Sequence, residues 1–82
     1  MEAALAIQEY IEYVVINLID HPEDAGVSHA ENDGRHEYRI RLHPDDAGKV
    51  IGRNGRTITA IRSLAFAAAQ KNDLKIDIEL DK

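Results

Sequence analysis

Between Asp46 and Gly55 the chain reads Asp-Ala-Gly-Lys-Val-Ile-Gly-Arg-Asn-Gly, which sets three glycines and two cations inside an otherwise apolar, helix-forming run. These residues restrict the fold more than any other stretch. Gly52 and Gly55 carry no Cβ, so the backbone between them is free to take unusual dihedrals and a bulky ligand can approach it closely. Thr57 to Gln70 reads as a helix that starts just after Gly55. The unpaired amides and positive dipole end of such a helix attract anions, which makes a phosphate the expected ligand. Lys49, Arg53 and Arg56 add positive charge nearby.

The run Val50-Ile51-Gly52-Arg53-Asn54-Gly55-Arg56-Thr57-Ile58, followed by Ala60-Ile61-Arg62, resembles the core signature of a KH domain. That signature is an apolar pair, then G-x-x-G, then an amphipathic helix, and its loop clamps the backbone of about four single-stranded nucleotides. G-x-x-G alone is a weak pattern; the flanking apolar spacing and the element order make it specific. The leading helix ending in Ile19-Asp20-His21-Pro22-Glu23-Asp24, the Ala67-Ala68-Ala69 helix end and the length resemble the small stand-alone bacterial KH family called KhpA, over nearly the whole chain.

The resemblance implies an α+β fold of the type II KH arrangement, helix-strand-strand-helix-helix-strand, with three helices on one face of a three-stranded mixed sheet. It implies single-stranded RNA as ligand, with Lys49, Val50, Gly52, Arg53, Asn54, Gly55, Arg56, Thr57 and Ile58 at the RNA. Arg39 and Arg41, on the outer face of the second strand, read as a solvated sheet surface or as the basic wall of an RNA groove. The resemblance also implies a role in post-transcriptional regulation or as an RNA chaperone, and a larger KH-containing protein, KhpB, as an alternative partner to a second copy.

Composition agrees with a single small domain. Eighty-two residues, 44% apolar and 30% charged, suffice for a modest core and argue against disorder. The absence of cysteine excludes a disulfide framework and thiolate metal sites, and points to a reducing compartment, hence a cytoplasmic location. Met1-Glu2-Ala3-Ala4-Leu5 does not read as a secretion signal, and no apolar run approaches membrane-spanning length. The net charge of −5 opposes binding of a polyanion, but it is unevenly placed: residues 35–62 hold seven Lys/Arg against three acids, a local +4. With a screening length of about 8 Å at physiological salt, such a patch acts while distant acids are largely screened, so modest, salt-sensitive affinity is expected.

Taken in order, the chain divides into an N-terminal helix (1–22), a hairpin (27–43), a short helix (44–51), the G-x-x-G loop (52–55), a long helix (56–71) and a last strand (74–81). In the first helix, which the pattern carries from Ala3 to about Asp20, Ile7, Ile11, Val14, Val15 and Leu18 share one face, and Pro22 marks the end. Tyr10, Tyr13 and Ile16 widen the apolar surface, either as core or as a partner surface. Asn32-Asp33-Gly34 is a hairpin turn signal between strands, and His36, Tyr38, Ile40 and Leu42 alternate with Glu37, Arg39, Arg41 and His43. Pro44, Asp45 and Asp46 suit the start of a helix. A metal site of His43, Asp45 and Asp46 is conceivable, but His21, His29, His36 and His43 show no paired helical ligand spacing, so no metal is expected.

The long helix presents Ile58, Ile61, Ala65 and Ala68 or Ala69 to a core, yet Ala60, Leu64, Phe66 and Ala67 leave its other faces apolar too. A helix apolar nearly all round is buried on more than one side. A dimer through Ile61, Leu64, Phe66 and Ala68 is the economical cover. Val50, Ile58 and Ile40 are expected to floor a groove for unstacked bases, and without an aromatic stacking platform low sequence specificity follows. A KH-fold module that binds mainly protein is the rival reading. An enzyme is not expected: no nucleophile is paired with a base, the loop matches neither the P-loop nor the dinucleotide fingerprint, and no cofactor or small-molecule substrate is indicated.

Overall fold

The computed structural model describes residues 2–81, so Met1 and Lys82, the ends of the predicted domain, lie outside the described residues. Helix α1 (Ala3–Ile16) leads to strands β1 (Gly26–Asn32) and β2 (Arg35–Arg41), then α2 (Ala47–Ile51), α3 (Arg56–Lys71) and β3 (Lys75–Leu80). Single 3₁₀ turns occupy Pro22–Asp24, Pro44–Asp46 and Arg53–Gly55. The sheet order is β1-β2-β3, with β1 antiparallel and β3 parallel to β2. The fold is therefore α+β, three helices with a three-stranded mixed sheet, as a KH domain requires.

The hairpin turns on Asp33 and Gly34, at φ 53° and 77°, between the paired residues Asn32 and Arg35. Positive φ at both central positions matches the twist of antiparallel strands, which is why Asp-Gly is found there. Along β2 the alternation is strict: His36, Tyr38 and Ile40 are buried and the residues between them exposed. Ile76 and Ile78 on β3 extend that inner face, and Ile7, Ile11, Val15, Ile58, Ile61, Ala65 and Ala69 from the helices close over it. The Tyr38 hydroxyl donates to the Ala4 carbonyl at 2.7 Å, fixing the first turn of α1 to the middle strand. The Tyr10 hydroxyl donates to the Ile61 carbonyl at 3.2 Å and links α1 to α3.

Helix α1 stops at Ile16, short of the predicted Asp20. The Asn17 side chain donates to the Tyr13 carbonyl at 2.7 Å. Further on, the amides of Asp20 and His21 are taken by the carboxylate of Asp46, at 3.1 and 2.9 Å. A tertiary acceptor thus replaces the helical one and draws the chain away from the axis before Pro22.

Helix α3 ends where Asp73 adopts φ 57°, with the Leu74 amide on the Ala69 carbonyl at 2.8 Å, a left-handed C-terminal motif.

Candidate nucleic-acid interface

Helix α2 closes with the Gly52 amide on the Gly48 carbonyl at 2.9 Å, and the chain then reverses within four residues to start α3. Gly52 sits at φ 78°, ψ 172°, a combination essentially confined to glycine. Asn54 and Gly55 follow in the left-handed region at φ 56° and 73°. The two glycines serve different ends. A Cβ on Gly52 would overlap Thr57 Oγ1 and come within 2.9 Å of the Thr57 amide nitrogen, whereas one on Gly55 would meet open space. Gly52 is thus required by close packing of the loop against the first turn of α3, Gly55 by its dihedral alone.

Arg53, Asn54 and Arg56 are exposed around this turn, and neither arginine has an ion-pair partner among the described residues. The sixteen-residue α3 directs its N-terminal dipole end at the same spot. Exposed backbone, two unpaired guanidinium groups and a helix N-terminus together make an anion-accepting ridge. Thr57 is half-buried beneath it, against Gly52.

Other predicted site residues lie elsewhere. The Lys49 ammonium is held by Asp20 Oδ2 at 2.8 Å and Asp46 Oδ1 at 3.2 Å, so its charge is engaged within the fold. These carboxylates hold its pKa above the ordinary lysine value, the Asp20 hydrogen bond contributing most. Val50, Ile40 and Ile58 are 0%, 0% and 6% exposed, so they belong to the core and do not floor a groove for bases. All three pack in one cluster with the residues of α1, α3 and the sheet. Ile51 is the large apolar residue left exposed beside the loop.

Arg39 and Arg41 occupy the sheet face opposite the helices, where Arg39 lies 3.9 Å from Glu79 and its neighbour Arg35 pairs with Asp77 at 3.2 Å. The parallel pairing of β2 with β3 sets Arg35, Glu37 and Arg39 beside Lys75, Asp77 and Glu79. This face is therefore a mixed, partly neutralised surface. Of the basic segment, Arg41, Arg53, Arg56 and Arg62 have no ion-pair partner among the described residues.

On α3, Ile61 is 3% exposed and belongs to the core, not to an interface. Leu64 and Ala68, one helical turn apart, line a groove of about 500 Å³ against Ala3, Ala6, Ile7 and Tyr10 of α1. Phe66 follows Arg62 by one turn on the flank facing β3, where Arg62 Nε donates to the Ile78 carbonyl at 3.0 Å. Leu64 and Phe66 are 64% and 43% exposed but do not share a face.

Two features escaped the sequence reading. Asp46, read from the sequence only as an acid suited to a helix start, is fully buried. Burial pushes its pKa up, but the Asp20 and His21 amides and the Lys49 ammonium outweigh that and hold it below the ordinary carboxylate value. The structure also brings His21, 22 residues away in sequence, onto His43: their rings stack with centroids 4.1 Å apart. Nothing in local spacing signals either contact.

The KhpA/KhpB KH-domain family matches residues 8–80. A protein of Halalkalibacterium halodurans named RNA-binding protein KhpA is 44% identical over 72 residues, covering 85% of this chain and 92% of its own. Proteins of the same name from Bacillus subtilis and Listeria monocytogenes are 39% and 40% identical over 74 residues, covering 90% of this chain and 91% and 97% of theirs. All three are named as binding proteins and none as an enzyme. No solved structure matches the chain. With the fold, the glycine-bounded turn and a family match over most of its length in agreement, the chain belongs to the KhpA/KhpB KH-domain family.

Proposed function

We propose that the chain binds single-stranded RNA by its backbone, at the Gly52–Gly55 turn and the N-terminus of α3. The observation that carries this is the turn itself: a glycine-only conformation at Gly52, with Arg53, Asn54 and Arg56 exposed around it and neither arginine ion-paired among the described residues. The names of the relatives support RNA as the polyanion. Successive phosphates would pass beside Gly52 and Gly55 and take hydrogen bonds from the first-turn amides and the two guanidinium groups. With Val50, Ile40 and Ile58 buried, few groups face the bases, so sequence specificity is low. The role is that of a post-transcriptional regulator or RNA chaperone acting in the cytoplasm.

The exposed Leu64 and the groove between α1 and α3 support assembly through the helical layer, with a second copy or with the larger KhpB, a partner to which the family name points. The same surface is the basis of the second reading, a protein-interaction module with little RNA binding.

Fluorescence-anisotropy titration of a mixed single-stranded RNA pool separates the two. Replacing Arg53 and Asn54 together by aspartate reverses charge at exposed sites, and aspartate tolerates the left-handed region at position 54. Wild type is expected to bind and the folded double variant to lose binding. Equal binding by both, or by neither, overturns the loop as the RNA site.

A further inference from the structure

We propose that His21, His43 and Asp45 form a binding site for a divalent transition-metal ion, with zinc the best match. One ligand atom from each of the three residues lies within 4.8 Å of the others. A tetrahedral zinc with nitrogen ligands at about 2.0–2.1 Å holds them about 3.3 Å apart. The two imidazoles stack with centroids 4.1 Å apart and planes 22° from parallel, so convergence on one ion takes a rotation of one ring out of the stack about its side-chain dihedrals. Both histidines are half-buried and Asp45 is exposed, so an ion reaches them from solvent.

The support beneath the three residues is unusually firm for a pair of loops. Buried Asp46, the residue after Asp45, accepts the His21 amide at 2.9 Å and the Asp20 amide at 3.1 Å, while Lys49 braces the same carboxylate. The chain leaving α1 is thereby fastened to the chain entering α2 directly behind the ligand atoms. Local charge favours a cation. Glu23 Oε1 lies 3.7 Å from His21 Nδ1 and offers a fourth ligand, and Asp45 Oδ2 lies 3.8 Å from His43 Nδ1. Asp24 and Arg41 share the depression beside His43, and the Lys49 charge is taken up by Asp20 and Asp46. The His43 Nδ1 accepts the Asp45 amide at 3.0 Å, so metal on Nδ1, or on Nε2 with the ring proton moved to Nδ1, takes the place of that hydrogen bond.

The other histidine pair provides the contrast. His29 Nε2 and His36 Nδ1 are 2.7 Å apart with nearly coplanar rings, sharing one proton edge to edge. That gap is too short for an ion bonded to both at about 2.0–2.1 Å.

The test is calorimetric titration of zinc chloride into the full chain without an affinity tag, with visible absorption of the cobalt form reporting coordination. Wild type should bind one ion per chain. His21→Asn and His43→Asn should each weaken binding by about tenfold or more, as ligand loss does, while His29→Asn leaves it unchanged. Asparagine retains an oxygen able to cap the Asp45 amide, and Asp45→Asn serves as the second variant if either histidine change unfolds the chain. Zinc in large excess should raise Tm by about 4 °C or more in wild type and not in the variants. Binding no tighter in wild type than in the His21→Asn, His43→Asn double variant, or loss of binding in His29→Asn with retention in His43→Asn, overturns the proposal.

Discussion

At the scale of single residues, the two glycines of the turn separate steric from conformational demand. Gly52→Ala places a methyl into Thr57 and forces a glycine-only dihedral, so it should destabilise the fold by about 2 kcal/mol or more and abolish RNA binding. Gly55→Asn meets open space and a left-handed φ that asparagine accepts; it should cost under about 1 kcal/mol and keep most binding. Chemical denaturation and anisotropy on the two variants check the split. Tyr38→Phe removes a buried hydroxyl bond to Ala4 and should lower stability by about 1 kcal/mol, some 4–8 °C in Tm. Asp46 provides a pH signature. Its folded pKa lies below the ordinary value of 3.8, so the unfolded chain takes up the proton first as pH falls. Its contribution is fully present above that value and is lost as pH drops through the lower, folded one. Asp46→Asn should therefore be less stable at neutral pH and show a flatter loss of stability below about pH 4 in acid titrations followed by circular dichroism.

At the scale of elements, the sheet has two free edges, and each receives a side chain from the helical layer. Gln8 Nε2 of α1 donates to the Val27 carbonyl of β1 at 3.0 Å, and Arg62 Nε of α3 donates to the Ile78 carbonyl of β3 at 3.0 Å. Unpaired edges invite strand addition between chains, and a side-chain donor on an edge carbonyl takes up an acceptor that an incoming strand needs. Gln8→Ala and Arg62→Ala should each cost about 0.5–1.5 kcal/mol. The double variant should aggregate at lower temperature than wild type when light scattering is followed on heating. The groove between α1 and α3, on which the proposed assembly rests, is apolar and open.

At the scale of the whole molecule, a net charge of −5 is reconciled with a polyanion by where the charges are spent. Arg35, Arg39 and Lys49 are committed to carboxylates, while Arg53 and Arg56 on the ridge have no ion-pair partner among the described residues. Two phosphate contacts on a single strand predict a log–log salt slope of about −1.4, shallow for a nucleic-acid binder. Anisotropy across a salt series measures it, and Arg56→Ala should reduce the slope by about half and weaken all sequences alike. Leu64→Asp, at an exposed position that lines the groove, should shift sedimentation toward the monomer without loss of helicity, with RNA affinity per chain falling if two ridges act together.

Periodicity and turn chemistry, both local, made the element order legible: the alternation along β2, the Asp33-Gly34 reversal and the positive-φ turn at Gly52 to Gly55 all follow from side-chain size and backbone dihedrals within a few residues. The family signature was legible in the same stretch, and the mixed sheet followed from the resemblance it carries rather than from local pattern. What local pattern could not supply was the fate of each charge and each exposed face. Whether Asp46 stays in water or clasps two amides, whether Lys49 is free, and whether Val50 floors a groove or fills the core depend on segments 20 or more residues apart meeting in space. Ile61, Leu64 and Phe66 look alike in sequence, and the helix rotation against α1 and the sheet sorted them into core, groove and flank. Dihedral preference acts between neighbours along the chain, whereas burial and ion pairing act between neighbours in space, and only the packed molecule specifies those.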